Sequence, residues 1–195
     1  MKKINETIKN MKPNKAAGPD ETLLNFFKKI EVSLKQKILQ LIIKVWKQEK
    51  IPCERPGGML CALHIKWDTK QCSNYGGKSL LNITYKKFAI LLCNRLCKII
   101  ESEIGNYQMG CRPNRSTLDN IFIVRKMHEK FHEYNIDLHN AFIDFSKVFD
   151  TFNRYVIHNS VIQQKVPHKL IKLLKLTMQR TKMKMKFNNS YPEWF

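Results

Sequence analysis

The 195-residue chain carries 35 lysines and arginines against 16 aspartates and glutamates, for a net charge of +19 and a pI near 9.8. That length suits one large domain or one and a half small ones, and the charge excess favours a polyanionic partner over a merely solvated lysine-rich surface or a biased genome composition, because cation–phosphate contacts release counterions. No apolar run approaches the roughly 20 residues that span a bilayer, and Met1-Lys2-Lys3-Ile4-Asn5-Glu6 lacks the apolar core of a signal peptide, which argues against a membrane chain.

Asp20 follows a Gly-Pro turn and is placed to cap a short helix through Ile30. Ser33 is placed to cap the next, in which Leu34, Ile38, Leu41, Ile42 and Val45 recur at helical spacing. Lys35, Lys37, Lys44 and Lys47 take its other face. Pro52 to Gly58 reads as a loop. Met59 to Ile65 and Lys78 to Ile83 read as two strands joined by a polar turn. A long helix from Thr84 aligns Tyr85, Phe88, Leu92, Leu96 and Ile99, with Gly105 as its stop. Ser116 then caps a helix whose stripe holds Leu118, Ile121, Val124, His128 and Phe131, with His128 read as a partly buried core residue.

Ala141 to Phe145 is an apolar run that holds one carboxylate, Asp144, and reads as a buried strand. Alternation puts Ala141, Ile143 and Phe145 on one face and Phe142 with Asp144 on the other. Burying a carboxylate is costly unless it is paired or holds a metal, and the bland alternative is a turn or capping aspartate. A helix after Ser146 is expected to bury Phe149, Phe152 and Val156. Pro167 suits the first turn of another, with Leu170, Leu173, Leu174 and Thr177 aligned. Lys182 to Phe187 alternates lysine with apolar residues, the pattern of a half-buried strand whose lysines face either a phosphate backbone or plain solvent.

The six cysteines, Cys53, Cys61, Cys72, Cys93, Cys97 and Cys111, form no C-x-x-C pair, and a reduced, intracellular set is expected. Cys93 and Cys97 lie one helical turn apart. Cys61, His64 and Cys72 offer three zinc-type ligands without an evident fourth.

Five segments, in order, resemble the reverse transcriptase domain of non-LTR (LINE-type) retrotransposons. Lys12-Pro13-Asn14-Lys15-Ala16-Ala17-Gly18-Pro19-Asp20 is similar to that family's opening K-x-x-K-A-x-G-x-D. Asn74-Tyr75-Gly76-Gly77-Lys78-Ser79-Leu80-Leu81 is similar to N-Y-R-x-I-S-L-L, and Tyr85-Lys86 with Asn94-Arg95-Leu96 continue the match. Gln108-Met109-Gly110-Cys111-Arg112-Pro113-Asn114-Arg115-Ser116-Thr117 is similar to Q-x-G-F-R-x-x-R-S-T. Phe142-Ile143-Asp144-Phe145-Ser146-Lys147-Val148-Phe149-Asp150 is similar to the first palm motif, F-x-D-F-x-K-A-F-D.

The resemblance implies an α+β fold: helix-rich fingers with a β-hairpin over residues 1–137, and the start of a polymerase palm over residues 138–195. It implies RNA-directed DNA polymerisation, with an RNA template, a DNA primer, deoxynucleoside triphosphates and two Mg2+ ions as partners. By the same resemblance Asp144 and the backbone carbonyl of Phe145 are metal ligands. The Phe149 ring packs under the incoming sugar, the amides of Lys147 and Val148 approach the triphosphate, and Lys66 reaches its γ-phosphate. Gln108, Arg112 and Arg115 belong to the nucleic-acid-binding set.

The sequence also departs from the family. Gly76 stands where an arginine clamps the triphosphate, and glycine supplies no bidentate donor. Ile65-Lys66-Trp67-Asp68 puts an indole in place of the glycine of K-K-G-D, while Val148 and Cys111 replace alanine and phenylalanine. No Asp-Asp pair, the second catalytic motif, occurs in the sequence. The chain reaches Phe195 about where that motif would begin, and thumb sequence is absent. The expectation is an N-terminal fragment, inactive alone; the alternatives are a non-catalytic basic nucleic-acid-binding module and a structural remnant.

Overall fold

The computed structural model describes residues 16–20, 22, 31–52, 57–65, 68–179 and 182–185. The helix expected to run from Asp20 to Ile30 lies almost wholly outside them; Asp20 itself accepts a hydrogen bond from the Thr22 amide at 3.4 Å. The first described helix, α1 (Val32–Gln48), has Glu31 rather than Ser33 as its N-cap, because the Lys35 amide closes the first turn on the Glu31 carbonyl. Ile42 is buried, with Ile38, Val45 and Trp46 packed beside it. Glu49, in the left-handed region at φ 53°, ends the helix.

β1 (Gly58–His64) and β2 (Tyr75–Leu80) form an antiparallel hairpin, with Met59 opposite Leu80 and His64 opposite Tyr75. The second strand therefore begins three residues earlier than Lys78 and stops before Ile83. Gly76 and Gly77, which resemble turn residues by composition, enter the ladder because pairing needs only backbone groups. Asn82 stands at the N-cap position of the next helix, two residues beyond the end of the strand. β3 (Met183–Met185) adds to the other edge of β1 in parallel, Gly58 opposite Met183, giving the order β2-β1-β3.

α2 (Ile83–Ile100) is the spine of the fold, burying Ile83, Lys87, Phe88, Leu91, Leu92 and Leu96. It stops at Glu101 rather than Gly105. After it come α3 (Thr117–Glu133), the four-residue α4 (Val148–Thr151), α5 (Arg154–Gln163) and α6 (His168–Met178). The core gathers Ile42 of α1, Phe88 to Leu96 of α2, Val161 of α5 and Leu170 to Leu173 of α6, with Val166 between the last two helices. Leu173 is wholly buried. The Tyr85 hydroxyl donates to the Thr177 carbonyl at 3.0 Å, tying α2 to α6. One core thus joins helices from both sides of residue 138. The architecture is α+β, as expected.

The stretch between α2 and α5 packs differently from expectation. α3 has its capping box, with the Ser116 hydroxyl accepting from Leu118 and the Asp119 carboxylate accepting from the Ser116 amide. Asn135, left-handed at φ 53°, closes its other end in a Schellman turn, since Ile136 and Asn135 donate to Phe131 and His132. Yet no residue of α3 is buried; Leu118 and Ile121 are exposed, and so is His128, which pairs with Asn140 rather than a core. Ala141 to Phe145 is extended but is not a strand, and Phe142 is 85% and Phe145 73% exposed. A strand exists through its ladder, and among the described residues nothing pairs with this one. The single helix expected after Ser146 is two, broken where Asn153 caps α5, and Phe152 and Val156 are exposed.

Candidate functional site

Asp144 lies exposed on that extended segment, between the exposed Ile143 and Phe145. Lys147 follows in the left-handed region, φ 49°, a conformation that costs a non-glycine residue energy. Its carbonyl accepts from the amides of Asp150 and Thr151 and from the Thr151 hydroxyl, so Lys147 turns the extended chain into α4. Val148 opens that helix, half-buried. Lys66 and the side chain of Phe149 lie outside what the structure describes.

The basic residues of the loop between α2 and α3 divide. Arg112 turns inward, its side chain 6% exposed. Its Nε donates to Glu101 Oε1 at 2.9 Å and its guanidinium also reaches the carbonyls of Gly105 at 2.9 Å and Glu101 at 3.4 Å. Cys111, left-handed at φ 57°, supplies the turn that aims it there. Gln108 and Arg115 are exposed; Gln108 Nε2 donates to the Gly110 carbonyl at 3.2 Å and Arg115 to Asn106 at 3.4 Å. Gln108 and Arg115 thus face solvent, whereas Arg112 is held inside the loop that carries them.

A magnesium ion takes one or two carboxylates and completes its octahedron with water or phosphate oxygens. Asp144 provides one. Among the described residues no three His, Cys, Asp or Glu side chains converge on a point, Cys61, His64 and Cys72 included. The described residues therefore do not fit a two-ion site.

The hairpin and the opening motif do meet. Gly18 lies against the junction of β2 and α2, where an added Cβ would stand 2.7 Å from the Leu81 carbonyl carbon and 2.8 Å from the Asn82 nitrogen. Beside it, Asp20, Leu41, Ile42, Val45, Tyr85 and Phe88 line part of a cavity of about 340 Å³. Trp46 is covered by the Arg95 guanidinium 3.7 Å from its ring centre, and Glu49 pairs with Lys172 at 2.9 Å. Sequence patterning missed Arg112's inward turn and the burial of Lys87.

No protein-family model matches the chain. It is 24% identical over 147 residues to the transposon TX1 uncharacterized 149 kDa protein of Xenopus laevis. The matched stretch covers 75% of this chain and 11% of that protein, so the chain spans about a tenth of its relative's length. That similarity supports a transposon-related origin. No helix among the described residues is long and apolar enough to cross a membrane.

Proposed function

We propose that this chain carries the fingers and the start of the palm of a LINE-type reverse transcriptase, and that as these 195 residues it binds nucleic acid without polymerising. The observation that carries the reading is the seating of Gly18 against Leu81 and Asn82. Two segments that resemble separate family motifs, far apart in sequence, fit each other so closely that only glycine leaves room. The β1–β2 hairpin then corresponds to the fingers hairpin, and residues 138–195 to the partial palm. In a completed palm Asp144 and the Phe145 carbonyl would be this part's contribution to holding magnesium, with Lys147, Val148, Phe149 and Lys66 toward the nucleotide. One carboxylate does not hold two ions, and the sequence contains no Asp-Asp pair, so binding is the activity expected of the chain alone.

Fluorescence anisotropy with a labelled RNA-template/DNA-primer duplex tests the reading. A net charge of +19 predicts weak, sequence-indifferent binding. The logarithm of affinity should fall linearly with that of salt, steeply between about 50 and 200 mM. Addition of Mg2+ and the four deoxynucleoside triphosphates should extend no primer. Flat salt dependence would refute backbone-driven binding, and robust extension would refute the non-polymerising assignment.

A further inference from the structure

We propose that Cys93 and Cys97 form a two-thiolate chelating site for a soft divalent cation of the zinc and cadmium type. The two residues are one turn apart on α2, and their Sγ atoms stand 3.7 Å from each other. A tetrahedral zinc ion with Zn–S bonds near 2.3 Å holds any two thiolates about 3.8 Å apart. The pair is therefore already spaced as one edge of that tetrahedron, and binding needs little rearrangement of either rotamer. Cys93 is exposed and Cys97 half-buried, so an ion arrives from solvent and keeps two coordination positions for water or an external ligand.

The fold makes chelation easier than disulfide formation. A disulfide brings the Cβ atoms to about 3.5–4.5 Å, whereas residues four apart on a helix hold them at about 5–6 Å. Closing the bond would distort α2 beside the buried Leu92 and Leu96, whereas an ion bridges the helical spacing as it stands. Binding follows M2+ + 2 RSH → M(SR)2 + 2 H+, with no change of oxidation state. Affinity should climb by up to about 100-fold per pH unit while both thiols are protonated.

The experiment is titration of the full chain with Cd2+, following the thiolate-to-cadmium charge-transfer absorption, with Zn2+ competing. Three variants accompany it: Cys93→Ser, Cys97→Ser, and one in which Cys53, Cys61, Cys72 and Cys111 are all serine. The expected result is one Cd2+ per chain, with at least a tenfold loss of affinity in each single variant and full retention in the quadruple variant. Peptide mapping after alkylation gives a second readout that needs no substitution: Zn2+ should protect Cys93 and Cys97 and leave Cys72 reactive. Absorption that survives in both single variants, or alkylation of Cys93 and Cys97 unaffected by saturating metal, would overturn the proposal.

Discussion

Arg112 and Glu101 are joined by a 2.9 Å ion pair that closes the loop between α2 and α3, with the guanidinium nearly buried and the carboxylate half in water. The same guanidinium holds the Gly105 carbonyl at 2.9 Å. Removing it would leave a carboxylate and loop carbonyls without their donors. Arg112→Ala is expected to lower unfolding free energy by about 2–4 kcal/mol in urea melts. Arg112→Lys should recover less than half of that, since one ammonium does not span the carboxylate and the carbonyl together. Arg115→Ala, at an exposed position, should leave stability within about 0.5 kcal/mol and weaken nucleic-acid binding instead. Equal stability losses in the two alanine variants would contradict this division of roles.

Gly18 makes a second, steric prediction. A methyl group there meets backbone, which has nowhere to retreat, at 2.7 Å from both the Leu81 carbonyl carbon and oxygen. Gly18→Ala should cost about 1–3 kcal/mol. It should also speed amide exchange at Leu81 and Asn82 before it affects the centre of α6. Unchanged exchange at that junction would show that the turn is not held there.

Lys87 gives a pH dependence. It is 2% exposed on α2, and burial, with the charge of Lys35 adding to it, pushes its ammonium down from 10.5 to about 8. Between those two values the unfolded chain holds a proton that the folded chain has released. Stability from this group therefore rises with pH across that window, and the full cost remains below about 8. Lys87→Met should stabilise the protein at pH 7 by on the order of 2–3 kcal/mol, since a tenfold change in proton affinity is about 1.4 kcal/mol. The gap between variant and parent should shrink as the pH approaches about 10.5. Urea midpoints for both proteins at several pH values would measure it; parallel curves would sink the assignment.

Local chemistry was legible in the sequence wherever it sufficed. Ser116 and Asp119 announce the start of α3, and the spacing of Phe88, Leu92 and Leu96 announces the buried face of α2. Pairing and burial were not legible, because they depend on what else is present. Ala141 to Phe145 has the composition of a buried strand, yet composition cannot supply a neighbouring ladder, and the residues stay extended and exposed. Gly76 and Gly77 have the composition of a turn, yet their backbone pairs with Leu63 and Ala62. Of the candidate site, the position of Asp144 at the end of an apolar run was readable. That Arg112 would be drawn into a loop by Glu101, while Gln108 and Arg115 stayed outside, follows from three-dimensional closure that no periodicity encodes.

Gly76 is one position at which the proposed lineage and the present chain differ, and the structure says what an arginine would meet there. The residue lies on β2 opposite Leu63, and an added Cβ would come within 2.8 Å of Ile65 Cδ1. That atom is the far end of a side chain 58% exposed, free to swing into solvent, so Gly76→Arg should fold with little penalty. In the 195-residue chain it should add phosphate affinity and no polymerisation, since the carboxylates for a second ion are still missing. In a chimera completed with the palm and thumb of an active relative, the arginine should raise kcat/KM for nucleotides by about 100-fold, if an oriented charge clamp is worth roughly 3 kcal/mol. Primer extension by chain and chimera, each with Gly76 and with Arg, makes the comparison. An active chimera indifferent to the arginine would assign the clamp to another cation, with Lys66 the first to test by Lys66→Ala.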